Sequence, residues 1–71
     1  MTEVKSEITA SVWLVNVAVG DTVVSGAELV VLESMKMEIP VHAPIDGTIA
    51  EVMVAPGDTV QEGATLIVIQ S

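Results

Sequence analysis

Residues 8–34 and 45–71 are two versions of one pattern. At an offset of 37, Ile8 falls on Ile45, Val15 on Val52, Val17 on Val54 and Ala18 on Ala55. The run Gly20-Asp21-Thr22-Val23 falls on Gly57-Asp58-Thr59-Val60, and Gly26-Ala27 on Gly63-Ala64. Leu29, Val31 and Ser34 meet Leu66, Val68 and Ser71. A solenoid needs about three or more units to bury a continuous core. Two copies in a chain of 71 residues therefore read as halves of one closed domain, related by a pseudo-two-fold axis.

The residue types say what each half is made of. Val dominates the apolar set, Ile and Leu follow, Phe and Tyr are absent, and Trp13 is the one aromatic residue. β-Branched side chains fit a pleated surface better than a helix, so the chain is expected to be all-β. Gly-Asp (Gly20-Asp21, Gly57-Asp58) closes one apolar run in each half, and Gly-Ala (Gly26-Ala27, Gly63-Ala64) opens the next. Glycine supplies the positive φ that such turns need, and Asp bonds nearby backbone. The spacing predicts strands over 3–10, 12–18, 22–24, 28–34, 37–42, 48–54, 59–61 and 65–70, four per half, in a sandwich or barrel.

Composition removes several functions. Two basic residues against ten acidic ones give a formal net charge of -8, which lacks the basic footprint that nucleic acid requires. With no Cys and a single His, His42, there is no disulfide frame, thiolate nucleophile or histidine-rich zinc site. The longest apolar runs, Leu29–Leu32 and Leu66–Ile69, are too short to span a bilayer. Glu3, Lys5 and Glu7 stand where an export signal would carry its apolar core. No nucleophile–base pair, metal cluster or phosphate loop is visible, so no catalytic residue is expected. A small acidic cytoplasmic domain, monomeric when isolated and contacting neither nucleic acid nor membrane, is the expectation.

The segment 35–44, Met35-Lys36-Met37-Glu38-Ile39-Pro40-Val41-His42-Ala43-Pro44, has no copy in the alignment of the halves. The chain must reverse between Leu32 and Ile39, which puts Lys36 at or next to a hairpin tip, flanked by Glu33, Ser34 and Glu38. Tight hairpins favour Asn-Gly or Asp-Gly because their central residues take positive φ. A turn through Met35 and Lys36 is strained by about 1–3 kcal/mol per residue, and broken local rules mark functional positions. Met is also flexible and common at adaptable contact surfaces. A plain structural turn, a short helical connector and core-filling methionines are the alternatives left open by residue type.

Glu33-Ser34-Met35-Lys36-Met37-Glu38 resembles the attachment motif of biotin carboxyl carrier domains, in which the lysine of Met-Lys-Met is biotinylated. The Gly-Asp-x-Val turn, the Gly-x-x-Leu approach and the Pro44-x-x-Gly47 exit resemble the family frame too, over nearly the whole chain. The resemblance implies a single domain over 1–71, with a first half of about 8–34, an attachment hairpin of about 33–39 and a second half of about 45–71. It also implies a flattened barrel of two four-stranded antiparallel sheets. The sister lipoyl domains usually carry Asp-Lys-Ala at the tip, so Met35 and Met37 favour biotin. Ala10-Ser11 stands where many members have Pro-Gly, and with no linker, fused enzyme or inserted thumb loop read in these residues a stand-alone carrier is the expectation.

By this resemblance the chain is no enzyme. Biotin is expected as a covalent cofactor on Lys36, attached by a biotin protein ligase, with a biotin carboxylase and a carboxyltransferase as further partners. Glu33, Met35, Met37 and Glu38 are the expected presentation and recognition residues. Trp13, matched by Ala50 in the other half, and His42 are expected as strand residues facing outward. The rival functions are a lipoyl carrier and an unmodified barrel that serves as an interaction module.

Overall fold

A computed structural model describes all of residues 1–71. It contains strands β1 (Thr2–Lys5), β2 (Ala10–Val15), β3 (Thr22–Val23), β4 (Glu28–Ser34), β5 (Met37–His42), β6 (Gly47–Val52), β7 (Thr59–Val60) and β8 (Thr65–Gln70). They form two four-stranded sheets, ordered β1-β8-β6-β3 and β5-β4-β2-β7. Every pairing is antiparallel. Each sheet draws two strands from each half, so neither half closes a core alone. No helix is long and apolar enough to cross a membrane.

The pseudo-two-fold extends further than residue identity does. Sequence alignment of the halves leaves 35–44 without a copy, yet β5 is the structural counterpart of β1. Thr2 pairs with Ile69 and Glu3 with Val68, as Ile39 pairs with Leu32 and Pro40 with Val31. Even the register shifts coincide: Val4/Lys5 against β8 mirrors Glu28/Val30 against β5, and Val12/Leu14 in β2 mirrors Ile49/Glu51 in β6. Backbone pairing and alternation were retained at β1 and β5 while the residue types diverged, which hid the copy.

β4, β5 and β8 run as the sequence predicts. The first predicted strand, 3–10, stops at Lys5 instead. Buried Ser6 donates its hydroxyl to Ile8 O at 2.6 Å, and its backbone bonds Ala64 and Gly63. The chain thereby turns out of one sheet before entering the other. Predicted strands 12–18 and 48–54 likewise end at Val15 and Val52. Asn16 N and Met53 N then donate to Leu29 O and Leu66 O as the chain crosses between sheets. Asp21 and Asp58 pin the two crossings, accepting from Ala18 N at 2.8 Å and Ala55 N at 2.9 Å.

The core is drawn from both sheets. Leu29, Val30, Leu32, Ile49, Leu66, Ile67 and Ile69 are its most completely buried large side chains, each contributing about 1.5–3 kcal/mol. No buried side-chain polar atom lacks a partner. Gly47 in the Pro-x-x-Gly exit is required by space, since a Cβ there would stand 2.6 Å from Gln70 O and from Ile69 Cγ2.

Candidate functional site

The β4–β5 hairpin begins at Glu28↔His42 and runs to Ser34↔Met37, which leaves Met35 and Lys36 as a two-residue loop. Both have positive φ, 53° and 65°, as a type I′ turn requires to follow the twist of its strands. They are the only non-glycine residues in the chain with positive φ. A turn that most sequences give to Asn-Gly is here given to two long side chains, at a cost of about 1–2 kcal/mol per residue.

Inward alternation explains what the tip presents. Leu32 and Ile39 pair with each other and face the core, and Val30 and Val41 do the same one step down the hairpin. The hairpin is therefore anchored to within a few residues of its end. Beyond that anchor Met35 is 92% exposed and Met37 is 65% exposed, which removes the core-filling alternative. The paired strands also remove the short helical connector. Lys36 is exposed between the two methionines, at the end of the paired strands.

Glu33 and Glu38, both exposed, pair directly across the hairpin on the face turned away from the core. Like charges opposite one another destabilise a sheet modestly. Here they make the ground next to the tip anionic. The structure thus brings Glu33, Met35, Lys36, Met37 and Glu38 together at one end of one hairpin. His42 is exposed on β5, at the other end of that hairpin, and Trp13 is 45% exposed on β2. No group of three His, Cys, Asp or Glu residues is placed to hold a metal ion.

Two features escape a reading of the residues. Trp13 is the extra residue of a β-bulge, because pairing with β4 skips from Val12 to Leu14. Asp46 accepts from Ser25 N at 2.6 Å and ties the exit of the hairpin to the turn before β4. Its counterpart in the first half is Thr9, so the repeat gives no sign of it.

The fold family model described as "Biotin-requiring enzyme" matches residues 2–69. A protein of Mycobacterium leprae, "Biotinylated protein TB7.3 homolog", is 51% identical over 49 residues, 69% of this chain and 69% of that one. The "Biotin/lipoyl attachment protein" of Bacillus subtilis is 42% identical over 48 residues, 68% of this chain and 66% of that one. The Kluyveromyces lactis urea carboxylase crystal structure superposes with a TM-score of 0.91 at 33% identity. That superposition covers 97% of this chain and only 6% of the carboxylase.

Proposed function

The chain belongs to the biotin-requiring enzyme family, and from that premise we propose that it is a biotin carboxyl carrier whose attachment site is Lys36. One observation carries the reading: Lys36 occupies the second loop position of a type I′ turn, exposed between two exposed methionines at the end of a core-anchored hairpin. The residues suit the group. Attachment forms an amide between the biotin carboxyl and the Lys36 ε-amine with net loss of water, and only an unencumbered amine can be drawn into a ligase site.

When attached, biotin supplies a ureido nitrogen that accepts and gives up a carboxyl group. Everything else falls to presentation, since the hard chemistry belongs to the cofactor. The β4–β5 hairpin holds Lys36 away from the sheets, so that a biotin protein ligase, a biotin carboxylase and a carboxyltransferase can each enclose it in turn. The left-handed backbone at Met35 and Lys36 fixes where the side chain leaves the domain. Met35 and Met37 give each enclosing site an apolar, adaptable contact. Tethering keeps the group at a high effective concentration near its partners. In this reading the chain is a cytoplasmic, non-catalytic component of a biotin-dependent carboxylase system.

The test is the intact mass of the protein after co-expression with a biotin protein ligase and biotin. One increment of biotin minus water is expected on the wild type, and none on Lys36→Arg. A lipoyl increment, or an unmodified wild type under a ligase active on a known acceptor, would overturn the biotin assignment.

A further inference from the structure

The outer faces of the two sheets occupy equivalent positions and carry opposite chemistry. On one sheet the row Glu51–Val68–Glu3 crosses the outer face. Its pseudo-symmetric row on the hairpin-bearing sheet is Leu14–Val31–Pro40. Val68 and Val31 are both buried, yet both lie outside the central core cluster. Two carboxylate side chains flank the first, and Glu3 accepts from the Thr65 hydroxyl at 2.9 Å. Leu14, itself 41% exposed, and Pro40 flank the second. The bulge adds Trp13 beside Leu14, where the other sheet has Ala50.

Passing outward along the hairpin-bearing face, the order is an apolar row with Trp13, then the Glu33–Glu38 row, then the Lys36 tip. From this order we infer that the outer face of the β5-β4-β2-β7 sheet is a docking surface, and that its occupant is the ligase that modifies Lys36. The inference rests on the carrier reading above and adds the surface that the ligase reads.

Two arguments select this occupant. A lysine side chain is short, so an enzyme that reacts at its amine must come down onto the hairpin and the rows next to it. An enzyme that works on the far end of an attached group needs to meet only the tip, and not the rows behind it. Charge excludes a second copy of the chain. Besides Lys36 the only basic side chain is Lys5, so another copy has almost nothing to set against Glu33 and Glu38. The surface that fits is an apolar patch rimmed by Arg or Lys, which gains both burial and charge complementarity.

The symmetry supplies the variant. Trp13→Ala, Leu14→Glu and Pro40→Glu together copy onto this sheet the residues that the other sheet already carries at equivalent sites. With a purified biotin protein ligase, KM for the wild-type protein is expected to rise about tenfold in the triple variant. kcat should hold, and Glu51→Gln on the other sheet should leave both constants unchanged. In parallel, fluorotryptophan at Trp13 gives a single fluorine resonance in the intact protein. Titration with ligase should shift or broaden it, even if the triple variant folds poorly. A KM within twofold of wild type in a folded triple variant, or a fluorine signal indifferent to ligase, overturns the docking face while leaving the carrier reading standing. A fluorine signal that moves with the protein's own concentration overturns it in favour of self-association. A wild-type chain that takes no biotin from the ligase overturns both.

Discussion

The chain has six residues with positive φ, and they fall into two kinds. Gly20, Gly26, Gly57 and Gly63 lie at 88–95°, whereas Met35 and Lys36 lie at 53° and 65°. The small left-handed basin open to L residues spans about +50° to +70°. The two hairpin residues fall inside it and the four glycines fall outside. Where the turn serves geometry alone, the backbone goes where only glycine follows. At the hairpin tip it stops at the one left-handed conformation that a side chain tolerates. The difference separates turns that shape the scaffold from the turn that must present something.

The sharpest way to break this comparison is to put a side chain at a scaffold turn. A Cβ at Gly57 meets nothing within 4 Å, so the loss of about 1–2 kcal/mol expected for Gly57→Ala comes from the backbone alone. Urea titration measures it, and a neutral result would remove the distinction between the two kinds of turn. A smaller effect tests whether the halves are equivalent in energy as well as in shape. Asp21→Ala and Asp58→Ala each remove one backbone-to-carboxylate bond, of 2.8 Å and 2.9 Å, and each should cost about 1 kcal/mol. Unequal losses in the same titration would show that one crossing bears more of the fold. The smallest effect has the opposite sign. Met35→Asn places a residue suited to left-handed backbone at the tip and should stabilise the domain by about 0.5–1 kcal/mol, read as a higher thermal midpoint. Its initial biotinylation rate should fall, because the methionine contact is lost; a more stable variant labelled as fast as wild type would show that Met35 is tolerated and not used.

Much of this was written in the residues, and the rest was hidden for identifiable reasons. The Gly-Asp and Gly-Ala punctuation locates the crossings, and the apolar runs locate β4 and β8, since both depend on local chemistry. The tip was legible because Met-Lys-Met contradicts the needs of a tight turn. The early end of β1 was not, because Ser6 turns the chain with long-range bonds to Ala64 and Gly63. The equivalence of β1 and β5 was also concealed. An edge strand is held by its backbone and one buried face, so Thr2–Lys5 and Ile39–His42 could diverge while keeping the same register. That freedom accounts for Glu3 against Pro40 on the outer faces, whereas Trp13 against Ala50 and Leu14 against Glu51 lie on the interior strands β2 and β6.

One consequence of the pseudo-two-fold concerns the ends of the chain. The four-residue link 6–9 joins Lys5, which pairs at the start of β8, to Ala10, beside the Ser11↔Glu33 pair near the hairpin tip. The start of β8 therefore lies at the tip pole, and Thr2 with its partner Ile69 lies toward the other pole of a molecule 33 Å long. Met1 and Ser71 occupy the place where a second tip would stand. Polypeptide spliced to either terminus is added at the pole remote from Lys36, so the domain behaves as a cassette that can be hung from a larger assembly by its base without obstructing its working end.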